Sequence, residues 1–74
     1  MTRNQLLKKY RNKIFIIYKT ENQEKIVTFK KLSEAQDFQE SGYPITGLVN
    51  LRHVKNEENV IEFLESLIFD GHDI

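Results

Sequence analysis

The residue types that could do chemistry in this chain are two histidines, a few serines and the carboxylates. His72 stands between Asp70 and Asp73 near the end of the chain, where an imidazole and two carboxylates could loosely bind a divalent cation. A metal site also needs outer groups that fix its ligands, and a chain end does not supply them. We therefore expect a solvated end there and no metal site.

The histidines and serines do not form a pattern that is typical of an enzyme. His53 falls in a predicted strand next to Arg52, at a surface or partly buried position. Ser33 is expected to cap a helix, and neither Ser41 nor Ser66 lies in a nucleophile-elbow sequence. The three glycines are scattered, so the sequence indicates no glycine-rich phosphate or cofactor loop. We predict that the protein is not an enzyme and uses no cofactor.

The size and composition of the chain indicate one small folded domain. It has 74 residues, of which 39% are hydrophobic and 30% charged, as is typical of folded domains and not of disordered segments. There is no cysteine, so neither a disulfide nor a cysteine-containing zinc site can stabilise the fold. We expect a single domain over residues 1–74, stabilised by its apolar core or by a partner.

Two further absences bear on where the protein works. The basic segment 1–13 lacks the apolar run of a signal peptide. The longest apolar stretch, residues 14–18, is far shorter than the roughly 20 residues that span a bilayer. These features predict a cytoplasmic protein with no membrane partner.

Hydrophobic periodicity predicts six elements along the chain. Helices are expected over residues 3–11 and 32–42, with a last helix from Asn56 to Gly71, and strands over residues 13–20, 25–30 and 47–54. The fold class that follows is α+β, in the order α-β-β-α-β-α. We expect a three-stranded, mainly antiparallel sheet in the order 2-1-3, packed with two or three helices.

The first strand and its hairpin carry the clearest local signals. Residues 14–18 are apolar on both faces, which favours a central strand covered on both sides. Residues 21–24 form a polar turn without an Asn-Gly pair, so we expect a connection of four or five residues. Gly47, inside the third strand, predicts a bulge or a close backbone approach.

The helix ends can also be assigned from residue types. Ser33 and Gln36 form a capping-box pattern at the start of the second helix, and Gly42 is placed for a left-handed C-cap. Asn56 and Gly71 are expected to begin and end the last helix. Its inward face is predicted to be a stripe of five aliphatic residues, Val60, Ile61, Leu64, Leu67 and Ile68.

The charges are distributed unevenly along a chain whose net charge is zero. Through residue 31 there are nine basic and two acidic residues, giving +7, and from residue 32 there are two basic and nine acidic residues, giving −7. Such asymmetry suggests charged partners. Two halves that fold against each other would also neutralise it, so both interpretations stay open.

Our first functional hypothesis is stoichiometric binding to another protein that has a basic surface. The last helix is acidic opposite its aliphatic stripe, and at least one of Phe63 and Phe69 is expected near the surface, where it could anchor a partner. A small inhibitor of a host factor, from a phage or another mobile element, would fit this description. The candidate partner-binding residues are Glu58, Glu62, Glu65, Phe69 and Asp70.

Two alternatives remain. A nucleic-acid-binding regulator would use a basic segment with an interleaved aromatic, extended by Lys25, Lys30 and Lys31. The segment consists of Arg3, Lys8, Lys9, Tyr10, Arg11 and Lys13. No helix-turn-helix or zinc-finger pattern supports it. A homodimeric structural module would instead pair an open strand edge, with Lys25 and Lys30 guarding the other edge.

Overall fold

Six elements and a short 3₁₀ helix make up the computed structural model, which describes residues 2–72 of the chain. In chain order they are α1 (Arg3–Tyr10), β1 (Ile14–Thr20), β2 (Gln23–Phe29), α2 (Leu32–Gln39), β3 (Ile45–Asn50), the 3₁₀ helix (Leu51–His53) and α3 (Glu57–Phe69). The predicted α+β class and its α-β-β-α-β-α order are confirmed.

The three strands form one antiparallel sheet in the predicted order β2-β1-β3. In the central strand, Ile16 pairs with Val27 on one side and with Leu48 on the other. Successive side chains of β1 point to opposite faces, so its unbroken apolar run must be covered twice. The sheet is covered on both faces, as predicted.

Each face of β1 has its own apolar cluster. On one face Ile14 and Ile16 are buried together with Ala35 of α2. On the other face Phe15 is buried among side chains of α1, α3 and the 3₁₀ helix, namely Leu6, Tyr10, Leu51, Val60, Leu64 and Leu67. Each buried aliphatic or aromatic side chain contributes about 1.5–3 kcal/mol, so α3 is the largest helical contributor.

The aliphatic stripe of α3 is shorter than predicted. Val60, Ile61, Leu64 and Leu67 are buried, but Ile68 is 47% exposed, so its assignment to the core was wrong. A groove lies beside the last turn of α3, and Arg3 and Leu6 are the α1 residues that line it. These two side chains do not cover Ile68.

The hairpin connection is tighter than predicted. β1 and β2 pair as far as Thr20 and Gln23, which leaves only Glu21 and Asn22 in the turn. Both have positive φ, 47° and 73°, as a type I′ turn requires. The prediction of a longer connection was wrong, because a primed turn matches the twist of the strands and asparagine tolerates positive φ.

The start of α2 also differs from the prediction. The helix begins at Leu32 with Lys31 at its N-cap and no side-chain cap, so the capping box of Ser33 and Gln36 was wrong. Starting two residues earlier than a Ser33 cap would allow gains a backbone hydrogen bond, from the Ala35 N–H to the Lys31 carbonyl at 3.2 Å. Gly42 has a positive φ of 98°, but it lies two residues after the C-cap, Glu40.

Both predicted ends of α3 are confirmed. The Asn56 side chain accepts a hydrogen bond from the Glu58 N–H at 2.9 Å. At the other end Gly71 has a φ of 90°, and the N–H groups of Gly71 and His72 donate to the carbonyls of Ile68 and Leu67. This pair of bonds is the Schellman motif, which favours glycine because the position is left-handed.

The third strand was predicted too far along the chain. β3 is Ile45–Asn50, and the chain then turns into the 3₁₀ helix that contains His53. The Asn50 side chain accepts from the Arg52 N–H at 3.1 Å, a local bond that competes with continued pairing, and Leu51 is buried in the core. Gly47 lies next to a register shift, and a Cβ added at this position would lie 3.4 Å from Ile17 Cδ1. The predicted bulge or close backbone approach at Gly47 is therefore confirmed.

No helix within residues 2–72 is both long enough and apolar enough to span a bilayer.

Candidate functional site

The exposed side of α3 carries three glutamates that we call the acidic ridge: Glu58, Glu62 and Glu65. Their spacing of four and three residues places them on one side of the helix. The buried residues Val60, Leu64 and Leu67 occupy the opposite side, so packing against the sheet points the ridge toward solvent. The fold thus presents these three candidate residues together.

Arg3 of α1 lies beside the acidic ridge and pairs with two of its members. Its Nη2 is 3.0 Å from Glu58 Oε2, and its Nε is 3.3 Å from Glu65 Oε1. Three carboxylates against one guanidinium leave a net charge of −2 on these side chains. The basic and acidic halves of the chain therefore neutralise each other in part, and the ridge stays negative.

A groove of about 370 Å³ runs beside the acidic ridge at the last turn of α3. Its lining residues are Arg3, Leu6, Glu65, Ile68 and Phe69. Phe69 is 90% exposed, whereas Phe63 is partly buried and meets Phe15 edge to face at 5.4 Å. The prediction that at least one of these phenylalanines lies at the surface is confirmed.

Asp70 is the C-cap of α3 and lies next to Phe69. The C-terminal end of a helix has a partial negative charge, so an acidic residue there is unfavourable by about 0.3–1 kcal/mol. The last turn of α3 contains no basic residue that would offset it. Local helix stability therefore gives no reason for a carboxylate at this position.

The residues of the nucleic-acid alternative do not form one open basic face. Tyr10 is 5% exposed, and its ring packs edge to face on Phe15 at 5.6 Å, so it has no free face on which a base could stack. Lys9 Nζ lies 5.2 Å from the centre of the same ring. Lys8 and Lys9 are both exposed.

Arg11 and Lys13 of that set lie in the connection between α1 and β1. The Arg11 side chain donates a hydrogen bond to the Leu51 carbonyl, so part of its guanidinium holds the 3₁₀ helix. Lys13 is partly buried where β1 begins. Arg3, which pairs with the acidic ridge, lies at the first residue of α1, whereas Arg11 and Lys13 follow its last residue.

Sequence reasoning missed Arg52. Its Nε donates to the Asn12 carbonyl at 3.0 Å, and its Nη2 donates to the Lys30 carbonyl. Arg52 therefore joins the α1–β1 connection to the end of β2. No local pattern indicates this role, because it depends on which chain segments meet at the end of the sheet.

His72 does not lie in solvent as predicted. Its side chain is mostly buried, with Nε2 3.7 Å from Glu24 Oε1, because the Schellman motif turns the chain back toward β2. Asp73, the other carboxylate considered with Asp70, lies outside the described residues. In the part of the chain that the structure describes, no group of three or more His, Asp or Glu side chains could hold a metal ion.

The two edge strands of the sheet differ in charge. β2 contains Glu24 and Lys25, and Lys30 follows it, whereas β3 contains no charged residue. Leu48 of β3 is 42% exposed. Charged residues on an edge oppose pairing with another chain, so β3 is the less protected edge.

No known protein family, curated protein or solved structure matches this chain. The surface that the protein uses must therefore be inferred from its own residues.

Proposed function

We propose that this chain is a small non-enzymatic protein that binds another protein stoichiometrically, through the acidic ridge and the groove beside it. The partner has a basic surface that faces Glu58, Glu62, Glu65 and Asp70. The observation that carries the proposal is the exposed ring of Phe69 next to the half-exposed Ile68 at the rim of this groove.

Phe69 supplies the apolar part of the binding energy. Complete burial of a phenylalanine side chain is worth about 1.5–3 kcal/mol, and within the described fold this ring gains almost none of that. Aromatic anchors that enter a desolvated pocket often dominate binding between proteins. Coverage by a partner would also bury Ile68 and the groove.

The acidic ridge supplies orientation and speed of association. Complementary charges at the rim of an interface steer encounter and fix register more than they add affinity. A basic groove that normally holds nucleic acid would fit this ridge, and the protein would compete there as a charge mimic. Inhibition of a cytoplasmic host factor, by a protein that a phage or another mobile element encodes, is the use we propose.

The test compares four tagged forms of the protein in pull-downs from nuclease-treated lysate, followed by affinity measurements on the purified partner. They are the wild type, Glu58→Gln/Glu62→Gln/Glu65→Gln, Phe69→Ala, and the control Glu34→Gln/Asp37→Asn/Glu40→Gln. The control removes the same number of exposed acids from α2 and its C-cap. We expect the wild type and the control to bind the partner equally, and the α3 variants to lose about tenfold or more in affinity, since 1.4 kcal/mol is tenfold. A partner that all four forms bind equally would refute the proposal.

The open edge of β3 favours one other function, a homodimeric structural module. Two copies that pair antiparallel along this strand would bring no like charges together, because β3 carries none. Sedimentation equilibrium over a wide concentration range tests it. A dimer that Leu48→Lys disrupts would support this function, and a wild type that stays monomeric at every concentration would exclude it.

A further inference from the structure

Three loop segments meet at the end of the sheet where β1 begins. Ile14 pairs with Phe29 at the end of β2 and with Asn50 at the end of β3. The segments that adjoin these residues, 11–13, 30–31 and 51–55, therefore lie side by side, although up to 44 positions separate them in the sequence.

Hydrogen bonds fix these segments to one another. Arg52 donates to the carbonyls of Asn12 and Lys30, and the Leu51 N–H donates to the Lys13 carbonyl at 3.1 Å. Arg11 in turn donates to the Leu51 carbonyl. The arrangement of the segments is thus part of the fold.

The three segments contain six basic residues and no acidic residue. We call this surface the basic end, and its members are Arg11, Lys13, Lys30, Lys31, Arg52 and Lys55. Lys30, Lys31, Arg52 and Lys55 are exposed. The nearest acids along the chain are Glu34 and Glu57, and within residues 2–72 no ion pair joins them to the basic end.

We infer that the basic end binds the phosphate backbone of a nucleic acid. This site is separate from the acidic ridge. It shares Arg11 and Lys13 with the predicted basic segment and Lys30 and Lys31 with its predicted extension, and it adds Arg52 and Lys55. A concentration of lysine and arginine on one face is the electrostatic footprint of such a site. Arg52 uses two of its five N–H donors on carbonyls, so three remain on a guanidinium that is already held in place.

Phosphate is a better partner for this surface than an acidic protein. A protein interface normally has aromatic or other large apolar anchors at its centre. The only exposed large apolar residue in or next to the described segments of the basic end is Leu32. The three segments contain no Phe, Tyr or Trp and four of the six cations are lysines, so we expect the surface to read the charge of the backbone and not the base sequence.

The experiment measures binding by fluorescence anisotropy to labelled duplex DNA, to one of its single strands and to an RNA of the same sequence, at increasing salt. For the wild type we expect log affinity to fall linearly with log salt, with a slope of about 0.9 for each phosphate contacted on a duplex. Lys30→Gln/Lys31→Gln should reduce that slope by about 2 and lower the affinity at low salt by about tenfold or more.

The matched control is Lys19→Gln/Lys25→Gln. It removes the same charge from exposed lysines at the hairpin end of the sheet. In the register of β1 and β2, Lys19 lies opposite Glu24 and Lys25 lies opposite Tyr18. We expect its affinity to stay within about twofold of the wild type, since its lysines contact no phosphate. Neither substitution at the basic end removes a fold contact, because Arg52 binds the carbonyl of Lys30 and not its side chain.

The inference is supported if the wild type binds any of the three nucleic acids and Lys30→Gln/Lys31→Gln shows the expected loss of affinity. The relative affinities for the three nucleic acids then identify the preferred form. Equal losses in the two variants, or no binding of any nucleic acid at low salt, would overturn it. Polyglutamate that competes as well as a nucleic acid of equal charge would also overturn it, because the surface would then fit an acidic protein.

Discussion

Arg3 Nη2 lies 3.0 Å from Glu58 Oε2, so an ion pair between residues 55 positions apart joins the first turn of α1 to the first turn of α3. The same guanidinium reaches Glu65. The acidic ridge therefore already holds one cation of the protein's own. A basic partner that approaches the acidic ridge must share these carboxylates with Arg3 or displace it.

Substitution of Arg3 should change the stability of the fold little but should strengthen binding of a basic partner. All three side chains of these pairs are more than half exposed, so Arg3→Gln should lower the free energy of unfolding by less than about 1 kcal/mol. The affinity of the ridge for a lysine-rich peptide should rise, because Glu58 and Glu65 become free. Urea unfolding and calorimetric titration measure the two effects. Lys8→Gln makes the same change in net charge on an exposed residue of α1, and equal gains in the two variants would contradict this explanation.

The two phenylalanines of α3 should respond in opposite ways. Phe63→Ala removes a ring that meets Phe15 edge to face at 5.4 Å, so it should cost about 2–4 kcal/mol of stability. Phe69→Ala removes a ring that is 90% exposed and should change stability by less than about 0.5 kcal/mol. Chemical denaturation of both variants measures the difference. A large loss of stability in Phe69→Ala would mean that this ring packs within the fold in solution and is not free to bind a partner.

Arg52 should contribute to the stability of the fold, although its side chain is exposed. Arg52→Ala removes two charge-assisted hydrogen bonds to the carbonyls of Asn12 and Lys30, and we expect a loss of about 1–3 kcal/mol. Lys55→Ala, a loss of the same charge three residues away, should cost less than about 0.5 kcal/mol. Thermal unfolding of Arg52→Ala and Lys55→Ala measures the difference in stability between the two variants. Equal melting temperatures would show that the two bonds contribute nothing in water.

Patterns within single elements predicted the architecture well. β1 was identified because Ile14 and Ile16 alternate with Phe15 and Ile17, and its double coverage follows from that run. Most of the buried face of α3 follows from helical periodicity in the same way. These features depend on residues that are near one another in the sequence.

Features that depend on tertiary contacts could not be read in this way. The hydrogen bonds from Arg52 to the carbonyls of Asn12 and Lys30 can form only once the ends of the strands meet. Neutralisation of Glu58 by Arg3 likewise depends on how α1 lies against α3. For this reason the sequence predicts one basic segment, whereas in the fold Arg3 forms an ion pair and Tyr10 lies in the core. Arg11 and Lys13 belong to the basic end, and Lys8 and Lys9 stay exposed on α1.

The hairpin turn shows how pairing can override local preference, and it gives the last prediction. Glu21 and Asn22 both have positive φ, although neither is glycine. Glycine has no Cβ and takes this conformation without strain, so Asn22→Gly should stabilise the protein by about 0.5–1 kcal/mol. For a domain of this size that corresponds to a rise of roughly 2–8 °C in Tm. Asn22→Ala should lower Tm, because alanine lacks the local hydrogen bonds that help asparagine to adopt positive φ. A Tm that neither substitution changes would mean that the turn in solution is the longer connection which the sequence pattern predicted.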